Sequence, residues 1–104
     1  LSDDNSALMA PWLADRARLR DRLLAGVDAA AALPEVDASR IAFAGYCFGG
    51  LCALDLARCG TTKVKGAISI HGIFAPPNIG PQGKIAASVL ILHGWEDPMA
   101  TPQD

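Results

Sequence analysis

Charged and aromatic side chains are both scarce in this chain. Of its 104 residues, 19% are charged and 6% aromatic, against 51% hydrophobic. Soluble globular chains carry roughly 25% charged residues, so this is the composition of an interior, in a chain short enough to leave much of its surface in water. Charge of one sign is also missing: nine basic residues stand against eleven acidic, a formal net charge of −2. A nucleic-acid surface wants a clustered positive face, and none is expected here. No apolar run approaches the ~20 residues of a bilayer span. The opening Leu1-Ser2-Asp3-Asp4-Asn5 has neither the basic nor the hydrophobic stretch of a secretory leader, so neither a membrane partner nor secretion is expected. Cys47, Cys52 and Cys59 are odd in number and form no CxxC pair, which points to reduced thiols in a cytoplasmic setting. With only His71 and His93 beside them and no HxxxH half-site, no metal is expected. A chain that begins on Leu1 with so much apolar surface reads as the central piece, residues 1–104, of a larger domain.

What is present is patterned. Over residues 8–33, Leu13, Ala17, Leu19, Leu23, Val27 and Ala30 recur at three- and four-residue steps, which predicts one long amphipathic helix. The arginines at 16, 18, 20 and 22 are interleaved with Asp15 and Asp21 and read as its solvated face. Residues 34–39 carry turn chemistry and lead into a short apolar strand, residues 40–45. Residues 51–59 repeat around a helical circle and stop at Gly60, the residue type suited to a left-handed helix end. Residues 64–71 and 88–93 are β-branched apolar runs without polar alternation, the pattern of interior parallel strands covered on both faces. The segment 72–87, with Pro76, Pro77, Gly80, Pro81 and Gly83 in its middle, is a loop, with a short helical turn expected near residues 85–87. This order implies an α/β fold with about three parallel strands and flanking helices joined by right-handed crossovers. Two helices cannot cover both faces of such a sheet, so exposed apolar surface is expected, and with it a homo-oligomer or missing sequence.

The sharpest local signal is Gly45-Tyr46-Cys47-Phe48-Gly49-Gly50, between a strand and a helix. It has the G-x-nucleophile-x-G form of a nucleophile elbow, with cysteine in place of the commoner serine. Gly45 and Gly49 lack a Cβ and let strand and helix approach while the nucleophile sits in a strained turn. Cys47 then lies at a helix N-terminus, where unpaired N–H groups favour a thiolate over a thiol. The Phe48 N–H would be half of an oxyanion hole. A G-x-G-x-x-G dinucleotide site does not fit, because Tyr46 and Cys47 stand where the backbone must be bare.

The second signal is His93-Gly94-Trp95-Glu96-Asp97-Pro98, at the end of the last strand. Ligands of open parallel sheets gather beyond the C-terminal strand ends, so Cys47 and Asp97 are expected on one rim. Hydrolases with this elbow follow the chain order nucleophile, acid, histidine, and Asp97 fits the acid. No histidine follows it. His71 and His93 precede it, and His71 reads as a strand cap or pocket wall. On the residues alone, the base of a Cys-Asp-His triad is missing.

These segments, with Ile70-His71-Gly72 and Val89-Leu90-Ile91-Leu92-His93-Gly94, resemble the dienelactone hydrolase (carboxymethylenebutenolidase) family of the α/β-hydrolases. The resemblance implies a partial α/β-hydrolase fold without its N-terminal strands and its histidine-bearing C-terminal segment. It implies a cofactor-free cytoplasmic hydrolase that opens lactones or small esters by attack of Cys47. Asp97 would orient the histidine, Phe48 would donate its N–H to the oxyanion, and Tyr46, His71 and Trp95 would line the pocket. The alternative is a catalytically inactive fragment, stable only as an intertwined oligomer.

Overall fold

Residues 5–104 are described in the computed structural model. The chain starts with α1 (Ser6–Ala14) and α2 (Arg16–Ala31), where the periodicity predicts a single helix. The break falls on Asp15, at φ −133° and ψ 80°. Its carboxylate accepts from the Arg18 N–H at 3.0 Å and its carbonyl from the Leu19 N–H at 3.1 Å. An aspartate that can satisfy a helix start in this way ends the preceding helix, and an apolar stripe does not reveal it.

The remaining elements are β1 (Ala42–Tyr46), α3 (Phe48–Arg58), β2 (Gly66–Ile70) and β3 (Ser88–Leu92). The strands form one parallel sheet in the order β1-β2-β3, in register at Tyr46, Ile70 and Leu92. The α/β class read from the sequence is therefore observed. The chain from 72 to 87 is loop throughout, and the helical turn expected near residues 85–87 does not form. Helix α3 begins at Phe48, three residues before its apolar pattern, because Cys47 takes the N-cap position. It ends before Gly60, whose φ of +76° is the left-handed stop the sequence implied.

Helix α3 lies between α2 and the sheet, so residues 50–57 are all buried. Leu51 and Cys52 pack with Leu19, Leu56 with Val27 and Val64, and Ala53 and Ala57 against Ala67 of β2. Phe43 of β1 touches all three groups. Leu51 and Leu56 are completely buried, each contributing about 1.5–3 kcal/mol of transfer free energy. The small alanines let α3 approach the strands closely enough to hold its N-terminus over their ends.

Two expectations are corrected. Arg16 is not on a solvated face: it is 7% exposed, and its guanidinium meets the Asp55 carboxylate of α3 in two hydrogen bonds of 2.6 Å. Its Nη2 also donates to the Ala75 carbonyl at 2.8 Å. Arg18, by contrast, stays outside with its guanidinium 4.9 Å above the Trp12 ring. Second, β3 is an edge strand, and Val89, Leu90, Ile91 and Leu92 are between 40% and 50% exposed. Both helices that pack beside the sheet lie on one side, so the apolar exposure expected from the helix count is present. Among the described residues, no helix is long and apolar enough to cross a membrane.

Candidate active site

Cys47 follows β1 directly and adopts φ 55° and ψ −113°, a left-handed conformation for a residue with a side chain. Such a backbone costs of order 1–3 kcal/mol and persists where its surroundings over-determine it. Here the Cys47 N–H donates to the Ile70 carbonyl at 3.0 Å, while its carbonyl accepts from the N–H groups of Gly50 and Leu51 at 3.0 and 3.2 Å. The strand ladder thus holds one side of the residue and the first turn of α3 the other. The thiol is exposed. Phe48 and Gly49 open that first turn, where backbone N–H groups have no acceptor within the helix.

The glycines divide their work differently from the sequence reading. A Cβ on Gly45 would fall on the Gly49 carbonyl, whereas one on Gly49 would meet nothing within 4 Å. Only Gly45 is sterically required. Gly50 carries a second requirement the sequence did not show: its Cβ would lie 2.7 Å from both the Gly72 Cα and the Ser69 Oγ. The pair Gly50 and Gly72 seats α3 on the chain leaving β2, above a Ser69 hydroxyl that is fully buried and has no hydrogen-bond partner among the described residues.

His71 follows β2 as Cys47 follows β1, and it too is left-handed, with φ 48°. Its N–H donates to the Leu92 carbonyl at 2.8 Å. Its ring Nδ1 lies 3.2 Å from Asp97 Oδ2, on the loop after β3. The other carboxylate oxygen, Oδ1, accepts from the Met99 N–H at 2.9 Å. Asp97 is therefore held from both sides, and its carboxyl sits below the usual carboxylate range, first through the Met99 N–H, then through His71, with a smaller contribution from the charge of His93.

That direction fixes a pH dependence. A carboxyl depressed in the folded state stabilises its loop fully above the ordinary aspartate value near 3.8, and this contribution is lost as pH falls through the lower folded value. Hydrogen exchange of the Met99 amide is expected to remain protected at mild acidity and to approach its intrinsic rate only on acidification below about pH 4. Loss of protection between neutral pH and about pH 5 would contradict this.

His93 is placed differently. Its Nε2 lies 2.8 Å from the Ala100 carbonyl, so that nitrogen carries the proton in the neutral ring, and the ring packs on Phe74 with centroids 4.6 Å apart. Its Nδ1 is buried without a hydrogen-bond partner among the described residues. His93 Nε2 is 3.9 Å from Asp97 Oδ2, beyond hydrogen-bond range. It is a wall of the Asp97 loop. Trp95 and Tyr46, expected in the pocket lining, are 77% and 69% exposed. Among the described residues, no cluster of three His, Cys, Asp or Glu side chains is arranged to hold a metal ion.

The loop carrying His71 and Phe74 is tied down from below by residues the sequence reading missed. Arg58 donates to the Phe74 and Ala75 carbonyls at 3.3 Å, beside the Arg16 contact to Ala75. Asp55 lies between the two guanidinium groups, 3.7 Å from Arg58.

Comparison with known proteins agrees with this architecture. The family model described as the dienelactone hydrolase family matches residues 2–104. A dienelactone hydrolase-like promiscuous phosphotriesterase from metagenomic libraries is 38% identical in sequence, with a TM-score of 0.88 over 98% of this chain and 42% of its own. A second solved structure, named m3DLH, is 39% identical, with a TM-score of 0.85 over 99% of this chain and 44% of its own. An uncharacterized protein of Caenorhabditis elegans is 39% identical over 59 residues, which are 57% of this chain and 37% of that protein. The chain spans less than half the length of these relatives. Its open parallel sheet with flanking helices is the corresponding part of their α/β-hydrolase fold. Matched over almost its whole length, the chain belongs to the dienelactone hydrolase family.

Proposed function

We propose that this protein is a thiol hydrolase that opens lactones or small carboxylic esters with Cys47 as its nucleophile. The observation that carries this reading is the left-handed Cys47, held by backbone bonds from both β2 and α3 with its thiol exposed at a helix N-terminus. A structural cysteine has no need of such a conformation; a nucleophile that must stand clear of strand and helix does. The Cys47 sulfur attacks the carbonyl carbon, the negative charge that develops on oxygen is met by the Phe48 N–H, and the ring or ester C–O bond breaks as the tetrahedral centre collapses. The resulting thioester is hydrolysed by water. The proton taken from the thiol passes to an imidazole oriented by Asp97 and is returned to the leaving oxygen. No step requires a cofactor. The chemistry needs a reduced thiol, which suits the cytoplasm. The relative named as a phosphotriesterase makes phosphotriesters a further class to assay.

Treatment with p-nitrophenyl acetate, followed by peptide mass mapping, is expected to find one acetyl group on Cys47. Burial, and then the charge of Asp55, push the Cys52 thiol up to about 11, so it stays silent. Exposed Cys59 reports unassisted acylation. Equal labelling of Cys47 and Cys59 would refute the assignment. A second reading, an inactive chain kept as an intertwined oligomer, draws on the exposed β3, and a monodisperse monomer in size-exclusion chromatography would count against it.

A further inference from the structure

We infer that the cavity between α2, α3 and the 76–83 loop binds a small oxyanion, the phosphate or carboxylate head group of an organic molecule. It lies at the far end of α3 from Cys47: Phe48 opens that helix and Arg58 closes it, a separation of about 15 Å at the helical rise. The inference therefore goes beyond the hydrolase reading and does not rest on it.

The walls of the cavity follow from the helix pairing. Leu19 packs with Leu51 and Cys52, and Val27 with Leu56, so α2 and α3 run in the same direction. Arg16 meets Asp55, and one turn further along each helix Arg20 stands on the same cavity wall as Arg58 and Cys59. The 76–83 loop closes the opposite side. The cavity measures about 210 Å³, below the roughly 300–1,000 Å³ of sites for drug-sized ligands, which suits a head group.

Its charge is positive. Three guanidinium groups, those of Arg16, Arg20 and Arg58, gather here against two carboxylates, those of Asp55 and Asp21. Both Asp55 oxygens are taken by Arg16 at 2.6 Å, while Arg58 stands 3.7 Å away. Asp21 meets only the Arg20 Nε, at 3.2 Å, and is 70% exposed. Burial pulls the Arg58 guanidinium below its ordinary value; Asp55 offsets part of this, and the charge of Arg16 adds to it. A bound anion would relieve that repulsion. Donors are free to meet it. The Arg20 Nη groups, the side-chain amides of Asn78 and Gln82 and the backbone N–H groups between them make no hydrogen bond among the described residues. A guanidinium fork matches the oxygens of phosphate or carboxylate.

Cys59 lines the same cavity and is exposed, so its alkylation by neutral iodoacetamide, read by peptide mass mapping, reports occupancy. The rate is compared in sodium phosphate, sodium succinate and sodium chloride of equal ionic strength. Phosphate or succinate is expected to slow it saturably, about tenfold at ten times the dissociation constant. Chloride should not. Arg20→Gln should raise the anion concentration needed for half protection at least about tenfold. This variant leaves the Arg16–Asp55 pair in place, so the fold is retained, as thermal unfolding would verify. Arg22→Gln removes the same charge from an exposed position outside the cavity and should bind as the parent does. Protection by phosphate alone assigns a phosphate head group, by succinate alone a carboxylate, and by both a site for either. No protection by phosphate or succinate, protection that chloride matches, or protection that Arg20→Gln leaves unchanged would overturn the inference.

Discussion

Replacing Asp55 by alanine is expected to lower the free energy of unfolding by about 3–5 kcal/mol, the cost of stripping one partner from a buried ion pair. The Asp55 side chain is 2% exposed and that of Arg16 7%, so neither charge can turn to water. Without the carboxylate, Arg16 keeps only its contact to the Ala75 carbonyl. Arg58 loses its neighbouring acid as well, and burial already pulls the Arg58 guanidinium below its ordinary value, a penalty that Asp55 offsets. Two uncompensated cations would then face each other across the anchor of the 74–75 segment. Arg16→Met should cost less, because Asp55 retains Arg58 at 3.7 Å. The double variant Arg16→Met with Asp55→Leu should recover most of the loss, since packed apolar residues often replace a buried pair without penalty. Urea unfolding measures all three. A loss below about 1 kcal/mol for Asp55→Ala, the range of an exposed pair, would show that this site is wetter than its geometry states.

That ion pair also marks how far the sequence could be read. The elbow was legible because its chemistry is local: strand, glycine, nucleophile and helix follow one another within eleven residues, and each side chain has a reason that needs no distant partner. The pair was not legible in that way, although its signal was present. Arg16 stands three residues before Leu19, which precedes Leu23 and Val27 by four and eight. Extending the apolar stripe back one turn therefore puts a charge on its buried side. Asp55 is the lone acid inside the apolar run of α3, and a buried charge demands a partner. Neighbouring arginines obscured Arg16, since three of the four in that row do face outward or sideways. The relation of His71 to Asp97 was hidden for another reason. It depends on strand order, which places residues 26 apart in sequence on one rim. The exposure of β3, in turn, belongs to the sheet edge and not to the strand's own apolar pattern, which is the same for edge and centre.

Gly45→Ala is expected to destabilise the protein by at least about 1–3 kcal/mol, the usual penalty of overpacking, and to abolish acylation of Cys47 even where the chain still folds. The added methyl would fall on the Gly49 carbonyl, a backbone atom in the first turn of α3 that no rotamer change can move aside. Relief requires α3 to draw away from β1. The carbonyl of Cys47 binds the N–H groups of Gly50 and Leu51, and its N–H binds Ile70, so such a shift pulls directly on the nucleophile and on the Phe48 N–H beside it. Gly49→Ala makes the contrast. A methyl there meets nothing within 4 Å, and alanine in a helix is favoured over glycine by about 1 kcal/mol, so this variant should match or exceed the parent in stability. Domains of this size shift their melting temperature by about 4–8 °C per kcal/mol, which makes the two alanines separable in one thermal scan. Equal melting temperatures for both variants would mean that α3 can slide on β1 without cost, and the strained Cys47 would then lose the constraint that holds its thiol clear of strand and helix.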